Sequence, residues 1–244
     1  MSRAGDLVRT GLRGVGQLLL TIGFVLLLFV VYEVYVTDIL AGQAQDELSD
    51  ELRDEWGGTA SGGTPAPISP VVGEPFAFLH IPGLGAGWNR AVVEGTSQDE
   101  LAQGPGHYVG TALPGQVGNF AVAGHRVGRG SPFLELDELR PGDPVVVETA
   151  DAWYVYRVLG DPVSGEFTGG PVPGQQIVSP SDVSVISPTP LATPDVPPSG
   201  AYLTLTTCHP EYSARQRLIV HAVLDGGPIM RADAPDGPPA LQEG

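Results

Sequence analysis

The chain has 244 residues, of which 42% are hydrophobic, so it can bury one good core, and we expect no second domain once tails and linkers are set aside. Its formal net charge of −16 and its lack of lysine argue against a nucleic-acid partner, because phosphate binding needs a basic stripe. The single cysteine excludes an intramolecular disulfide, and a free thiol kept outside the cell needs a reason, which catalysis would supply.

An apolar segment near the N-terminus predicts a membrane helix. Residues 14–32 are nineteen consecutive uncharged residues, about the length that crosses a hydrocarbon core. Arginines precede the segment and acids follow it, so the positive-inside rule predicts a cytoplasmic N-terminus. A cleaved signal peptide is the alternative, but its apolar region is usually shorter and no A-x-A site follows here. We expect a cytoplasmic segment over residues 1–13 and a single-pass plasma-membrane anchor over residues 14–36, with the rest of the chain extracellular.

Residues 37–70 predict an extracellular stalk and flexible linker. Leu48, Leu52 and Trp56 recur at helical spacing among acids, which fits either a solvated stalk or a helix packed on the domain, and the solvated stalk is favoured. The Gly- and Pro-rich residues that follow have a flexible, extended composition. Residues 226–244 have a similar composition and predict a disordered tail.

Residues 71–225 predict the folded domain, and its pattern is all-β. Short apolar runs alternate with Gly and Pro turns, as in FAFLHI, NFAVAGH, PVVVETA and AYLTLTTC. Residues 145–149 and 153–159 predict a hairpin, and the only helical pieces expected are residues 98–102 and 133–139. A closed or nearly closed antiparallel barrel fits this pattern best.

Several enzyme classes lack their motifs in this chain. It has no P-loop, no G-x-S-x-G turn, no H-E-x-x-H pair and no cysteine pair for zinc. The acids Glu135, Asp137 and Glu138 are most simply read as surface charge. We therefore expect no metal site and no cofactor.

Cys208 is the first candidate for chemistry. It ends a predicted strand in which alternation places Thr204, Thr206 and Cys208 on one face and Leu203, Leu205 and Thr207 on the other. A face with small hydroxyls suits a groove for an extended peptide. A lone cysteine is nevertheless more often a buried small residue than a nucleophile.

Two further residue types could complete such a site. If the strand after Cys208 returns as a hairpin, Arg217 falls within one or two residues of the position opposite the thiol, where a guanidinium could stabilise an oxyanion. Arg215 shares its face, so alternation does not choose between them. His125 follows another predicted strand, and imidazole is the group best suited to move protons near neutral pH.

Three segments resemble the catalytic signatures of one family. The catalytic signatures of sortases are similar to three segments of this chain and occur in the same order. These segments are NFAVAGHR at residues 119–126, TLTTCHP at residues 204–210, and RLIV, whose arginine follows the cysteine by nine residues. The GTALPGQVGNFAVAGH context most resembles class E of that family. The resemblance covers essentially the whole domain and identifies Arg217, rather than Arg215, with the family's arginine.

The resemblance implies a fold, an activity and partners. The fold would be the all-β sortase-type eight-stranded barrel with short helices behind one transmembrane helix. The catalytic residues would be Cys208, His125 and Arg217, which would cleave the Thr-Gly bond of a C-terminal sorting signal through a thioacyl enzyme. Class E members prefer the signal Leu-Ala-x-Thr-Gly. The enzyme would then transfer the secreted protein to a cell-envelope amine on a peptidoglycan precursor or cross-bridge. The positions implied to contact substrate are Ala123, Thr204, Thr206 and Thr207.

Alternative functions remain open at this stage. A cysteine peptidase would use the same trio and let water resolve the thioester, and a pilin-polymerising sortase would differ in its acceptor. A binding module displayed on a membrane stalk is the non-enzymatic alternative. The proline-rich stretch over residues 161–200 lies where the family carries its substrate-selecting loop, and its composition departs from the family pattern.

Overall fold

The computed structural model describes residues 3–32, 37–57, 64–193 and 195–243. Its first element is helix α1, Arg3–Val31, whose apolar side chains are exposed along most of its length. Residues Gly11–Val31 have a mean hydropathy of 2.5, which is long and apolar enough for a membrane span. This agrees with the predicted anchor, except that residues 33–36 lie outside the described residues.

Ten strands form one sheet, and their short apolar runs match those expected from the sequence. In chain order they are β1 Pro75–His80, β2 Asn89–Glu94, β3 Gly106–His107, β4 Gly118–Ala123, β5 Pro144–Glu148, β6 Ala152–Val158, β7 Gln175–Val178, β8 Ala201–His209, β9 Gln216–Leu224 and β10 Ile229–Met230. Beside them lie helix α3, Gln98–Leu101, and 3-10 turns at Pro82–Leu84, Leu136–Glu138, Val183–Ile186 and Pro239–Gln242. The second expected helix, residues 133–139, is thus reduced to one 3-10 turn.

The sheet closes into an eight-stranded barrel, as predicted. The ring order is β6-β5-β1-β2-β3-β4-β8-β9, and β9 pairs back onto β6. Strands β7 and β10 add to β9 and β6 outside this ring. The expectation of an antiparallel barrel was incomplete, because β2 with β3 and β4 with β8 are parallel pairs. The parallel pairs arise because the chain makes long connections that return to the same end of the barrel.

The barrel interior is filled by alternate residues of the strands. On β4, β8 and β9 the buried core takes Phe120, Val122, Leu203, Leu205, Leu218, Val220 and Ala222. The phenol of Tyr156, fully buried in the same core, accepts a hydrogen bond from the backbone N–H of Gly115. Residues between these core positions, including Cys208, therefore face outward from the barrel.

Helix α2, Thr37–Glu55, packs on the barrel, so the favoured solvated stalk was wrong and its alternative is correct. Leu48, Leu52 and Trp56 are buried against Phe78, Ala91 and Val93 on the outer face of β1 and β2. The rings of Trp56 and Phe78 meet edge to face at 5.4 Å. Helical spacing places the three side chains in one stripe, and strand alternation on β1 and β2 presents an apolar partner for it.

Residues 226–243 are ordered where we expected disorder. Strand β10 pairs with β6, and Ala240 is buried against Val146, Trp153 and Val155. The indole N–H of Trp153 donates to the carbonyl of Ala234 at 3.0 Å. The physical reason is that β5 and β6 carry apolar side chains on their outer face as well, and these must be covered.

Candidate active site

Adjacent parallel strands place His125 and Cys208 side by side. The last pair in the β4–β8 register is Ala123 with Thr206, and the backbone N–H of Gly124 continues the ladder to the carbonyl of Thr206 at 3.0 Å. His125 and Cys208 each follow this pair by two residues. If the alternation of β4 continues for two residues past its end, and because neighbouring strands lie about 4.8 Å apart, we expect both side chains on the outer face.

Arg217 is the direct cross-strand partner of Cys208 in the β8–β9 hairpin. Its Nη1 donates to the carbonyls of Ala214 at 3.1 Å and Gln216 at 3.0 Å, which holds the guanidinium against the start of β9. Arg215 lies in the loop, exposed, with its Nε bonded to the Ser213 hydroxyl. The structure thus separates two arginines that alternation alone could not.

The imidazole of His125 is half-buried at the end of β4. Its Nε2 is buried and has no hydrogen-bond partner among the residues that the structure describes. The pKa of His125 is lowered, first because burial disfavours the imidazolium and second because the guanidinium of Arg129 repels it. The ring is therefore biased towards the neutral form that can accept a proton.

His125 also lines a cleft of about 500 Å³. The other side chains and backbone around it come from the end of α1, the start of α2 and the loop after β4: Tyr32, Leu40, Ala41, Ala102, Val127, Gly128 and Arg129. This cleft opens on the same side of the barrel as the loop that carries the histidine.

Comparisons with known proteins identify the family of this chain. A family model described as Sortase domain matches residues 79–225, which include all three residues. The chain belongs to the sortase family. Members of this family are cysteine transpeptidases.

The relatives favour class E. Sortase SrtE1 of Streptomyces coelicolor is 37% identical over 215 residues, covering 85% of this chain and 55% of the relative. Sortase SrtE2 of the same organism is 34% identical over 246 residues, covering 96% of this chain and 88% of the relative. The sortase chain described here thus spans about half the length of the first relative and most of the second.

Solved sortase structures share the barrel. The SrtF sortase from Corynebacterium diphtheriae has a TM-score of 0.67 at 40% identity, covering 75% of this chain and 100% of that one. Sortase E1 from Streptomyces coelicolor was solved with a tripeptide in its active site. It has a TM-score of 0.57 at 35% identity, covering 71% of this chain and 99% of that one.

Of the four predicted substrate contacts in this sortase, Ala123 and Thr206 lie on the outer face next to the trio. Ala123 is 8% exposed and Thr206 is 4% exposed. The Thr206 hydroxyl is hydrogen-bonded to the phenol of Tyr108 at 3.0 Å. Tyr108 thereby borders the same face, although no pattern in the sequence singled it out, since it lies in a turn between short strands.

Thr204 shares the outer face but is fully buried beneath the 3-10 turn Val183–Ile186. Its hydroxyl donates to Asn119 Oδ1 at 2.8 Å and lies 2.9 Å from Nδ1 of His221. Asn119 Nδ2 donates in turn to the carbonyls of Val185 and Ser187. These bonds assign the proton of His221 to Nδ1, and they give Thr204 a role in holding the β7–β8 loop instead of contacting substrate.

Thr207 points to the opposite side of the strand, so the expected substrate contact is not supported there either. Its hydroxyl donates to the carbonyl of Gly124 at 2.8 Å. This bond ties β8 to the residue directly before His125. Thr207 therefore helps fix the spacing between the cysteine and histidine strands.

Arg126 is a second residue that the sequence did not single out. Its side chain is 3% exposed, and Nη2 pairs with Asp137 at 2.8 Å and with Glu211 at 3.5 Å. Asp137, expected to be plain surface charge, is half-exposed and engaged in this pair. Since Glu211 lies in the loop between Cys208 and Arg217, the buried guanidinium links the histidine loop to the cysteine loop.

His107 has a structural role, since it is 1% exposed and is paired with Glu94 at 2.6 Å. Within the described parts of the chain there is no group of His, Cys, Asp and Glu side chains that could hold a metal ion.

Proposed function

We propose that this sortase is a membrane-anchored transpeptidase that cleaves the Thr-Gly bond of a Leu-Ala-x-Thr-Gly sorting signal and transfers the acyl group to a cell-envelope amine. The observation that supports the proposal is the order of three neighbouring strands: His125 follows the end of β4, Cys208 lies on the adjacent β8, and Arg217 is its direct partner on β9. A nucleophile, a proton carrier and an oxyanion donor are the three parts that acyl transfer requires.

The first half-reaction uses the trio in order. The neutral imidazole of His125 takes the thiol proton as Cys208 Sγ bonds to the threonine carbonyl carbon, and the carbonyl oxygen becomes an oxyanion. The tetrahedral intermediate then breaks its C–N bond. His125 gives its proton to the departing glycine nitrogen, and the acyl group stays on Sγ as a thioester.

Arg217 stabilises the negative charge of this intermediate. Its two bonds to backbone carbonyls both use Nη1, and Nε and Nη2 form no further bond within the part of the chain that the structure describes. Arg217 itself lies directly opposite Cys208 in the strand register. A charge-assisted bond to a developing oxyanion is stronger than one to the ground-state carbonyl, which lowers the barrier.

The second half-reaction reverses these roles. An envelope amine attacks the thioester carbon, His125 accepts the proton from the attacking nitrogen, and the new amide forms as Sγ leaves with that proton returned to it. Atoms balance without a cofactor. Water in place of the amine would give hydrolysis, the reaction of a peptidase.

The outer face of β4 and β8 supports an extended peptide as substrate. Ala123 leaves space beside the trio, and the hydroxyl pair of Tyr108 and Thr206 borders it. Sortase E1 from Streptomyces coelicolor holds a tripeptide in its active site. A small residue before the variable position of the signal, as in Leu-Ala-x-Thr-Gly, fits a face of this kind. We place this face outside the cytoplasm, with α1 spanning the plasma membrane.

The test is product analysis with fluorogenic peptides that contain LAxTG or LPxTG, each with and without an oligoglycine amine. We expect the LAxTG peptide to react faster and an amide-linked product to appear only when the amine is present. Hydrolysis that is unchanged by the amine would assign the chain to the peptidases, and faster reaction of the LPxTG peptide would overturn the proposed signal.

A further inference from the structure

Helix α2 is clamped to the barrel by polar bonds as well as apolar contacts. The side chain of Gln45 uses its full amide: Nε2 donates to the carbonyls of Ala91 and Gln103, and Oε1 accepts from the Ala91 N–H. A Cβ on Gly104 would lie 2.0 Å from that Nε2, so the close approach depends on glycine there. A flexible tether needs no such complementarity.

The two ends of α2 meet different parts of the barrel. Near its start, Ala41 is 5% exposed and packs against Gly130 in the loop that follows His125. Near its end, Arg53 makes a two-pronged pair with the buried Glu148 of β5, with one N–O distance of 2.8 Å. The contacts extend over twelve residues, about 18 Å of helix, so α2 is fixed in direction.

Chain length ties the start of α2 to the membrane surface. The apolar span ends at Val31 and α2 begins at Thr37, and six residues reach at most about 22 Å. The span itself is 21 residues, about the thickness of the hydrocarbon core, so Val31 lies at its outer boundary. The Ala41 end of α2, with the loop after His125, is therefore the end held near the bilayer.

The exposed side chains change character along α2. At its start, Ile39 and Leu40 are 60% and 53% exposed, and across the cleft Val127 and Arg129 are also exposed. Further along the helix most of the exposed residues are acidic, namely Asp46, Glu47, Asp50, Glu51, Asp54 and Glu55, and the exposed Arg53 is paired with Glu148. Apolar and cationic groups are favoured at a lipid interface, whereas a row of carboxylates is repelled by anionic headgroups.

We propose that Ile39, Leu40, Val127 and Arg129 form a membrane-proximal surface that contacts the lipid headgroup region, with α2 acting as a rigid strut that holds the His125 side of the barrel against the bilayer. The partner is the lipid interface itself. The inference rests on the proposed membrane anchor and adds to it a defined orientation of the domain. It predicts that the acidic end of α2 stands away from the lipid.

The test uses the full chain carrying Cys208→Ala, which removes the native thiol, reconstituted in vesicles of phosphatidylcholine and phosphatidylglycerol. Single cysteines at Leu40→Cys, Val127→Cys or Glu55→Cys carry an environment-sensitive fluorophore, and lipids with a headgroup nitroxide act as quenchers. Glu55 is the matched control because it is exposed on the same helix, about 22 Å beyond Leu40. We expect at least twice as much quenching at Leu40 and Val127 as at Glu55.

The outcomes separate this inference from the anchor. A chain that fails to float with the vesicles would refute the anchor and this orientation together. A chain that floats, with Val127 unquenched or quenched no more than Glu55, would refute the orientation alone.

Discussion

Cys208 and Arg217 face each other directly across the β8–β9 hairpin, although nine positions separate them in the chain. The pairing follows from a tight return after Cys208, in which the backbone N–H of Ser213 bonds to the carbonyl of Pro210. A shift of one residue in this register would turn the guanidinium to the inner face, into the apolar core. The hairpin register is therefore as much a part of the candidate site as the side chains are.

Replacing Arg217 tests this relationship. We expect Arg217→Ala to lower kcat about 100- to 1,000-fold, the usual effect of losing one oxyanion donor, with a smaller change in KM. Arg217→Lys should recover little, because an ammonium cannot reproduce the guanidinium fork. Steady-state cleavage of the LAxTG peptide is the measurement.

Arg215→Ala is the matched control for that experiment. Arg215 is exposed and lies in the loop two residues before Arg217, so its loss should leave kcat within about twofold of the parent. An equal loss from both variants would mean that net positive charge near the groove matters, and not the position opposite Cys208.

The pKa of His125 sets the acidic limit of activity. Because burial and the charge of Arg129 lower this pKa, the imidazole stays neutral below its ordinary value of 6.5, and kcat/KM should fall only at lower pH. Arg129→Gln removes a like charge, raises the pKa and should move the acid limb to higher pH. The pH profile of kcat/KM is the measurement, and Arg140→Gln is the exposed control. An acid limb that does not move in Arg129→Gln would contradict the assignment of that limb to His125.

Arg126 should matter to stability as well as to rate. Arg126→Gln removes the cation shared by Asp137 and Glu211 and should lower the free energy of unfolding by about 1 kcal/mol, because both acids are half-exposed and solvent screens them. The loops that carry His125 and Cys208 then lose their link, so kcat should fall too. The measurement is urea denaturation of both variants. The control is the exposed Arg140→Gln, which should change the free energy of unfolding by less than about 0.5 kcal/mol. Equal stability of the two variants would show that the link is dispensable.

His221 predicts a pH-dependent term in stability. Burial lowers its pKa to about 3 in the folded state, from 6.5, so the unfolded chain binds one more proton between these values. Stability from this group is therefore lost as the pH falls through that window, by about 1.4 kcal/mol per pH unit. In His221→Gln the term is absent, so the gap in unfolding free energy between parent and variant should narrow on acidification. A gap that is constant with pH would contradict the buried neutral state.

The sequence predicted the parts of this protein whose signals are local. The apolar run of α1, the β5–β6 hairpin and the two faces of β8 follow from period and turn chemistry, and the structure confirms them. The parallel pairing of β4 with β8 did not follow, because these strands are far apart in the chain and nothing local records their contact.

The misses have one physical cause, which is a partner supplied by the tertiary fold. The stripe of Leu48, Leu52 and Trp56 is the same whether the helix is solvated or packed, until the outer face of β1 and β2 is known. Ala240 lies in a Pro-rich tail whose composition conceals its contact with Trp153. Arg126 shows no pattern at all, since its two acids come from separate loops.

The central claim is that Cys208 forms the thioacyl intermediate, and intact-protein mass spectrometry tests it most directly. Briefly mixing the enzyme with the LAxTG peptide should add the mass of the acyl portion to the parent chain, at Cys208, and an oligoglycine amine should remove that mass as the ligated product appears. Cys208→Ala should gain no mass. A parent chain that forms product without ever carrying the acyl mass, or a Cys208→Ala variant that still forms product, would contradict the account.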